Sequence, residues 1–420
     1  MRGVWAAVLS LRMIFSAWVA RRIALGGRRS LSRLTVWMAV GSMAIGILVM
    51  EVSLSVTRGF QQQLAQQLVG FTGHVQIQYY LAQQDDSLRT LPLHDPTVAG
   101  LPAQFPAIRH ITPYIQQDAM LKSTTGIEGI RTLGLNHRWD TVFFASSLVA
   151  GRLPRFPQGD TLGYEVLLGR RLARQLQVQV GQPVKLYFQT QGRIRSRTLR
   201  VVGLYETGFA EFDQSVILCH LGLLQRLLGL APDRVQGFAL RLDPDAVPDA
   251  LTAAIHPRLA PDQQAMGLRQ RHADLFQWLD MIDQTLLIIM GLMLFVAVLN
   301  MAAALMMLIT ERTTLIGILK ALGASGRQVQ RIFLWNAALL LLRGLLLGNA
   351  LALLLLLLQD QTGLVQLDAD SYYLNEVAVA WPWWDFLWLN VFTLAFCLLC
   401  MYLPARVAQR LPITRALRFR

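Results

Sequence analysis

The chain has 420 residues, 54% of them hydrophobic and 15% charged, with 39 Lys and Arg against 26 Asp and Glu and a net charge of +13. That balance fits either one large soluble core or a chain partly dissolved in lipid, and the grouping of the apolar residues into long uninterrupted runs decides for lipid. It also argues against a nucleic-acid partner, because 16 of the 39 basic residues fall in three segments beside apolar runs, where they record topology and contact with anionic headgroups.

Residues 1–33 form a basic amphipathic segment with Arg2, Arg12, Arg21, Arg22, Arg28, Arg29 and Arg33 and no acidic residue. A first span is predicted at 34–57 with Glu51 as its only charge; it is too long for a signal-peptide core and is expected to remain as an anchor. Residues 58–283 have the composition of a folded domain. A second span at 284–309 carries no charge, a loop follows at 310–331, and a third span at 332–358 is interrupted only by Arg343. After a loop at 359–385 comes a fourth span at 386–403 and a tail at 404–420. Each span reaches or approaches the roughly 20 apolar residues that a bilayer core requires.

Basic residues mark cytoplasmic flanks. The tail holds Arg406, Arg410, Arg415, Arg418 and Arg420 with no acidic residue, and the 310–331 loop holds Arg312, Lys320, Arg327 and Arg331 against Glu311 alone. The 359–385 loop has Asp360, Asp368, Asp370, Glu376 and Asp385 and no Lys or Arg. Both ends and the 310–331 loop are therefore expected in the cytoplasm, and the 58–283 domain on the far side. Cys219 is alone in that domain, so no disulfide framework is expected there, and Cys397 and Cys400 read as small packing residues of the fourth span.

Within the domain, Val75, Ile77 and Tyr79 alternate with Gln76, Gln78 and Tyr80 as in a half-buried strand, and Glu128 to Leu135 reads as another. A short helix is predicted over Gly169 to Leu176, strands over Val178 to Gln189 and Arg197 to Glu206 about a turn near Gln191 and Gly192, a strand over Val235 to Arg241, and a helix over Pro248 to Ala260. The fold is thus mixed α+β. Phe60, Leu64 and Leu68 continue one apolar helical face past the first span. A helix from Leu34 to Leu68 is about 52 Å long, far more than a bilayer needs, so it is expected to project as a stalk. Residues 274–282 run into the second span without Pro or Gly and predict a second stalk.

No GxxxxGK[ST] loop, HExxH or GxSxG motif occurs, and the seven histidines lack metal-ligand spacing, so neither ATP hydrolysis by this chain nor a metal or other cofactor of its own is expected. The 310–331 loop is more informative. Leu315, Ile318, Leu319 and Leu322 share one face of a short helix that Gly323 ends. Such a helix either rests on lipid or docks an apolar knob into a groove on a soluble partner.

The stretch ERTTLIGILKALGASGRQVQRIF, from Glu311 to Phe333, resembles the loop of ABC transporter permeases of the lipoprotein-releasing LolC/LolE type, which are similar to the MacB exporter and the FtsX division protein. The resemblance extends to ARR at Ala20 to Arg22, LSVTRGFQQQL at Leu54 to Leu64, TGHVQI at Thr72 to Ile77, TGLVQLDADSYYLNEVAV at Thr362 to Val379 and PITRALRF from Pro412. It implies four membrane helices with an extracytoplasmic domain of two subdomains between the first and second, in the bacterial inner membrane. It also implies a coupling helix comprising Glu311, Arg312, Leu315, Gly317, Ile318, Leu319, Lys320, Leu322, Gly323 and Ala324, docked on a LolD-like ATPase dimer that binds the Mg-ATP. The further implied partners are a second permease copy or paralogue, a lipoprotein cargo and a periplasmic carrier. The hairpin that matches the carrier-recruiting hook of such permeases has only FQTQGRIRSR and no proline, which weakens a direct carrier role.

The resulting expectation is a non-enzymatic permease subunit that turns ATP binding by its partner into movement of the exported domain and release of lipoproteins, with Phe60, Leu64, Leu68 and Phe276 lining a cargo cleft or pairing the stalks. The alternatives are a MacB-like drug or peptide exporter, an FtsX-like regulator of a wall hydrolase, and a membrane-anchored sensor or enzyme. Inside the membrane, Arg343 costs about 2.5 to 3.5 kcal/mol at a span centre and therefore needs protein or water beside it, with Glu51 its nearest candidate partner. Gly344 and Gly348 form a GxxxG face for close helix packing.

Overall fold

The structure, a computed structural model, describes residues 31–80, 89–157, 161–190, 193–365, 367 and 376–410. Most of the basic segment at 1–33, the tail from 411, the hairpin tip at 191–192 and the acidic pair Asp368 and Asp370 lie outside the described residues. In chain order, α1 (Leu31–Thr72) leads to β1 (Val75–Tyr79), β2 (Leu91–Pro92), β3 (Ile108–Lys122), β4 (Ile127–Leu135), β5 (Leu148–Gly151) and β6 (Glu165–Gly169). Then come α2 (Arg170–Gln175), β7 (Pro183–Thr190), β8 (Arg193–Tyr205), α3 (Ala210–Ser215), β9 (Val216–His220), α4 (Leu221–Leu228), β10 (Arg234–Val235), β11 (Gly237–Leu242), α5 (Pro248–Ile255) and β12 (Gln263–Gly267). The chain closes with α6 (Ala273–Glu311), α7 (Thr313–Ala321), α8 (Gly326–Thr362) and α9 (Trp383–Arg410).

Two compact units result, one of residues 1–60, 280–364 and 378–420, the other of residues 61–279 and 365–377. The first holds the apolar helices. Among the described residues, four helices are long and apolar enough to cross a membrane, at Val36–Thr72, Ala273–Glu311, Gly326–Thr362 and Trp383–Gln409. Their shared core uses small side chains beside larger ones: Ala39, Met43 and Ile47 of α1, Ala297, Met301 and Ala304 of α6, Phe333, Ala337 and Leu341 of α8, and Cys397, Met401 and Ala405 of α9. A Cβ on Gly344 would lie 2.7 Å from the Met43 side chain, and one on Gly348 2.7 Å from the Ala44 carbonyl. These two glycines let α8 approach α1 backbone to backbone, which is how helices associate where lipid supplies no hydrophobic drive.

The second unit is built on one strand shared by two layers. Residues 108–114 of β3 pair antiparallel with β11, which continues to β1 and β12. Residues 115–122 of β3 pair with β4, and the ladders β4–β9, β9–β6, β6–β8, β8–β7 and β7–β3 close a six-stranded ring. An open sheet and a closed barrel therefore form the two subdomains, and they share a common strand. Parallel pairing of β4 with β9 and of β6 with β8 is a long-range arrangement that no local pattern encodes.

The expectation of a half-buried β1 is corrected. Val75 and Ile77 are fully buried, but Gln76 and Gln78 are buried as well, because β1 is interior to the sheet and covered on both faces. Each amide is satisfied: Gln76 Nε2 donates to the Thr72 carbonyl at 2.8 Å and its Oε1 accepts from the Tyr114 hydroxyl at 2.9 Å, while Arg271 donates to Gln78 Oε1 at 3.3 Å. Elsewhere α2, α5, β7, β8 and β11 fall where the sequence placed them, with ends displaced by a few residues. Cys219 is buried in the β-layer core, which pushes its thiol up to about 12 and leaves it unreactive.

Candidate docking helix and stalk joints

A single residue, Arg312, separates α6 from α7, and the turn after α7 is closed by two consecutive motifs. Gly323, at φ +91°, donates to the Lys320 carbonyl at 3.0 Å, and Ala324 donates to the Leu319 carbonyl at 2.9 Å. This is the paired bonding of a Schellman stop, which the left-handed residue makes possible. Ser325 then caps α8 reciprocally with Gln328, each side chain meeting the other's backbone. The sequence KALGASGRQ thus dictates helix, stop and restart with no free loop between them.

The two sides of α7 differ in environment. Ile316 and Gly317 are buried, with Ile316 in the same core as the membrane helices. On the other side Leu322 is 79% exposed and Ile318 46%, with Leu315 and Leu319 partly exposed between them. Four apolar residues that face outward beyond the last turns of the spans form the knob that the periodicity outlines. Lys320 Nζ donates to the Gln409 carbonyl at 3.0 Å, near the C-terminus of α9, where unpaired carbonyls and the helix dipole favour a cation. A Cβ on Gly326 would meet the Gln409 side chain at 2.7 Å, so α7, α8 and α9 converge at one point. Glu311 and Ala321 are exposed at the rim, and Arg312 is partly covered.

The helices α1 and α6 are each unbroken where the chain passes from one unit to the other. Residues 31–60 of α1 belong to the membrane unit and residues 61–72 to the β domain; residues 273–279 of α6 belong to the β domain and residues 280–311 to the membrane unit. Within the β domain, the tip of α1 is anchored by an aromatic cluster that the sequence reading missed. The Phe71 ring lies 4.5 Å from that of Phe212, 5.2 Å from Phe144, 5.5 Å from Phe143 and 5.9 Å from Tyr205. Gln67 Nε2 donates to the Thr207 carbonyl at 2.9 Å in the same joint. Nearby, buried Asp213 accepts from the Thr207 and Gly208 backbone and the Thr207 hydroxyl, and burial nevertheless raises its carboxyl to about 6. The VFF run at 142–144 and Phe209 and Phe212 are the signal in the sequence, aromatic pairs in segments too short to need them for their own helices.

A histidine stands at each joint. His74 follows α1 and its Nδ1 accepts the Leu242 N–H at 3.1 Å; burial and Arg241 lower its basicity. His272 precedes α6, its Nε2 is buried without a hydrogen-bond partner among the described residues, and burial with Arg271 and Arg131 brings it down to about 4.

The expected cargo face divides. Leu64 and Leu68 are fully buried and present no open surface, whereas Phe60 and Phe276 are partly exposed, with the Arg269 guanidinium over the Phe276 ring at 5.5 Å. The expected partnership of Arg343 with Glu51 is also corrected. Glu51 is buried and accepts from Asn390 Nδ2 at 2.8 Å, and Arg343 lies on an exposed face of α8. The reason is helical geometry: Asn349 and Gly348 stand on the inner face of α8, and Arg343 is rotated away from it.

Residues 36–258, more than half of the chain, match the MacB-like periplasmic core domain, and residues 287–413 match the FtsX-like permease C-terminal family. The chain is 26% identical over 393 residues to the lipoprotein-releasing system transmembrane protein LolC of Xylella fastidiosa, covering 90% of this chain and 92% of that one. It is 24% identical over 392 residues to the corresponding LolE of Haemophilus influenzae, covering 89% and 91%. The crystal structure of the periplasmic region of MacB from Actinobacillus actinomycetemcomitans superposes with a TM-score of 0.34 and 15% identity over 51% of this chain and 94% of that one. With one family matched across the first span and the β domain and the other across the remaining helices, the chain belongs to the MacB/FtsX family of ABC transporter permeases and is of the LolC/LolE type.

Proposed function

We propose that this permease releases lipid-anchored proteins from the inner membrane by transmitting to its exported domain the movement of a separate ATPase docked on α7. The observation that carries the reading is the two-sided α7: Ile316 is wedged in the membrane core while Leu322 and Ile318 project outward. Full burial of a Leu or Ile side chain contributes about 1.5–3 kcal/mol, so covering what remains open on these two supplies about 2–4 kcal/mol to a docking contact. The names of the relatives, lipoprotein-releasing system transmembrane proteins, support the cargo class. The uninterrupted stalks support mechanical coupling, because a displacement at the α6–α7 corner travels along α6 itself. By the distribution of Arg and Lys, both ends of the chain and α7 face the cytoplasm. On α6, Ile288, Leu292, Phe295 and Leu299 are exposed at alternating spacings of four and three, a seam suited to a second permease.

The test is affinity capture of the full chain from mild detergent. Leu322→Asp, at a side chain with almost no intramolecular contact, is expected to abolish co-capture of the ATPase and leave the melting temperature unchanged. Retained capture overturns the docking assignment. A lipoprotein among the captured chains supports release, and a wall hydrolase or outer-membrane channel in its place overturns the cargo.

A further inference from the structure

A second site lies inside the membrane unit, on the side of α1 that faces α8 and α9. It is a cavity of about 460 Å³ with Leu346, Trp383 and Phe386 in its apolar walls and Glu51, Asn349 and Asn390 as its polar lining. Trp383 belongs to a cluster of tryptophans with Trp381, Trp384 and Trp388 at the start of α9, the composition of a membrane–water boundary. Leu394 also lines the cavity, and the eleven helical rises from Trp383 to Leu394 span about 16 Å. The cavity therefore extends from headgroup depth into hydrocarbon, the shape of an amphiphile.

Its polar lining is rich in acceptors and poor in charge compensation. Glu51 is 2% exposed, and its hydrogen bond comes from Asn390 Nδ2 at 2.8 Å. Among the described residues no Lys, Arg or His pairs with it; Arg58, further along α1, pairs with Asp385 at 3.6 Å. The amide donors are already committed: Asn349 Nδ2 donates to the Leu345 carbonyl at 2.7 Å and to Asn390 Oδ1 at 2.8 Å, and the two N–H groups of Asn390 Nδ2 are shared among Glu51, Asn349 Oδ1 at 3.1 Å and the Phe386 carbonyl at 2.9 Å. What remains is the carboxylate's second oxygen and spare lone pairs on two amide oxygens. A carboxylate in this environment requires a counter-cation or a proton. A primary ammonium meets both needs, since it carries one positive charge and three donors and has no acceptor.

We infer that the cavity seats a phospholipid with a primary ammonium headgroup, its ammonium on Glu51 and the two asparagines and an acyl chain along Leu346 and Leu394. A trimethylammonium lipid supplies the charge without donors, and a glycerol-headed lipid supplies donors with the wrong charge. The full-length chain in mild detergent, offered an equimolar mixture of phosphatidylethanolamine, phosphatidylcholine and phosphatidylglycerol of identical acyl chains, is read by native mass spectrometry. Retention of the ethanolamine lipid is expected to exceed that of each of the others by about tenfold, the low end of what a charge-assisted hydrogen bond out of water yields. Glu51→Gln is expected to remove the preference with helicity unchanged. Leu346→Trp, at a side chain 65% exposed on the cavity wall, fills the space and is expected to lower retention of all three, which keeps the proposal testable if Glu51→Gln does not fold. Equal retention of the three lipids by the native chain, retention of the choline lipid to the same extent as the ethanolamine lipid, or an unchanged preference in Glu51→Gln overturns it. No ATPase enters the measurement, so its failure leaves the docking proposal intact.

Discussion

The two ends of α1 are held by opposite means. In its membrane half the contacts depend on what is missing: Gly344 and Gly348 of α8 carry no side chain, so Met43, Ala44 and Ile47 settle against bare backbone. At its far end the contact depends on bulk, with Phe71 set among four aromatic rings. The difference follows from the solvent. In water, burial of large apolar rings drives association, whereas in lipid apolar area gains nothing by leaving the tails and close fit must provide the attraction. One continuous helix is therefore fastened by the hydrophobic effect at one end and by dispersion at the other.

The sharpest break of that comparison is Phe71→Ala. It empties the centre of the aromatic cluster and is expected to destabilise the β domain by about 3–5 kcal/mol, seen as a loss of amide protection in the domain but not in the membrane helices. Acid acts on the same joints. Burial lowers the basicity of both His74 and His272, so what each contributes in its neutral form is complete above the usual value of 6.5 and is lost as pH falls below it, for His272 down to about 4. For His272 the shift corresponds to about 3 kcal/mol across that window. Asp213, raised to about 6 in the same domain, gains stability over the same range and offsets part of that loss, so the readout is a comparison. Urea titrations of the full chain at pH 7 and pH 4.5 are expected to shift less toward instability in His272→Gln than in the native chain, and an identical pH shift in the two contradicts the assignment.

At the lipid end, Gly348→Ala places a Cβ 2.7 Å from the Ala44 carbonyl, a contact that backbone movement alone relieves. The expected cost is about 1–3 kcal/mol, measured as a lower melting temperature of the detergent-solubilised chain, with the domain's own protection unchanged. The smallest effect is expected for Arg58→Ala. Its ion pair with Asp385 spans 3.6 Å between side chains 42% and 44% exposed, so screening leaves less than about 1 kcal/mol to lose.

Much of this was legible in the residues. The spans declare themselves because a bilayer fixes a minimum apolar length, and the long α1 is visible because Phe60, Leu64 and Leu68 keep helical spacing after hydrophobicity ends. The α7 knob and its stop at Gly323 are equally local. Where contacts are distant in sequence the reading ran out. The β3 strand shared by sheet and barrel, the parallel ladders, and the burial of Gln76 and Gln78 on both faces of β1 depend on which strands become neighbours, and no periodicity carries that. Glu51 was assigned to the most obvious opposite charge, yet the geometry of α8 gives it to Asn390, a neutral residue that charge counting passes over. Phe71 escaped notice for a similar reason: its four partners come from three separate segments.

The corner from Glu311 to Gly326 has a mechanical consequence. With one residue between α6 and α7, and four between α7 and α8 that are all tied by backbone or capping bonds, it is a lever without play. On the docking proposed above, a push at Leu322 would meet no flexible segment able to absorb part of the stroke. Lengthening the turn by a few flexible residues would leave both arms in place and waste the motion between them.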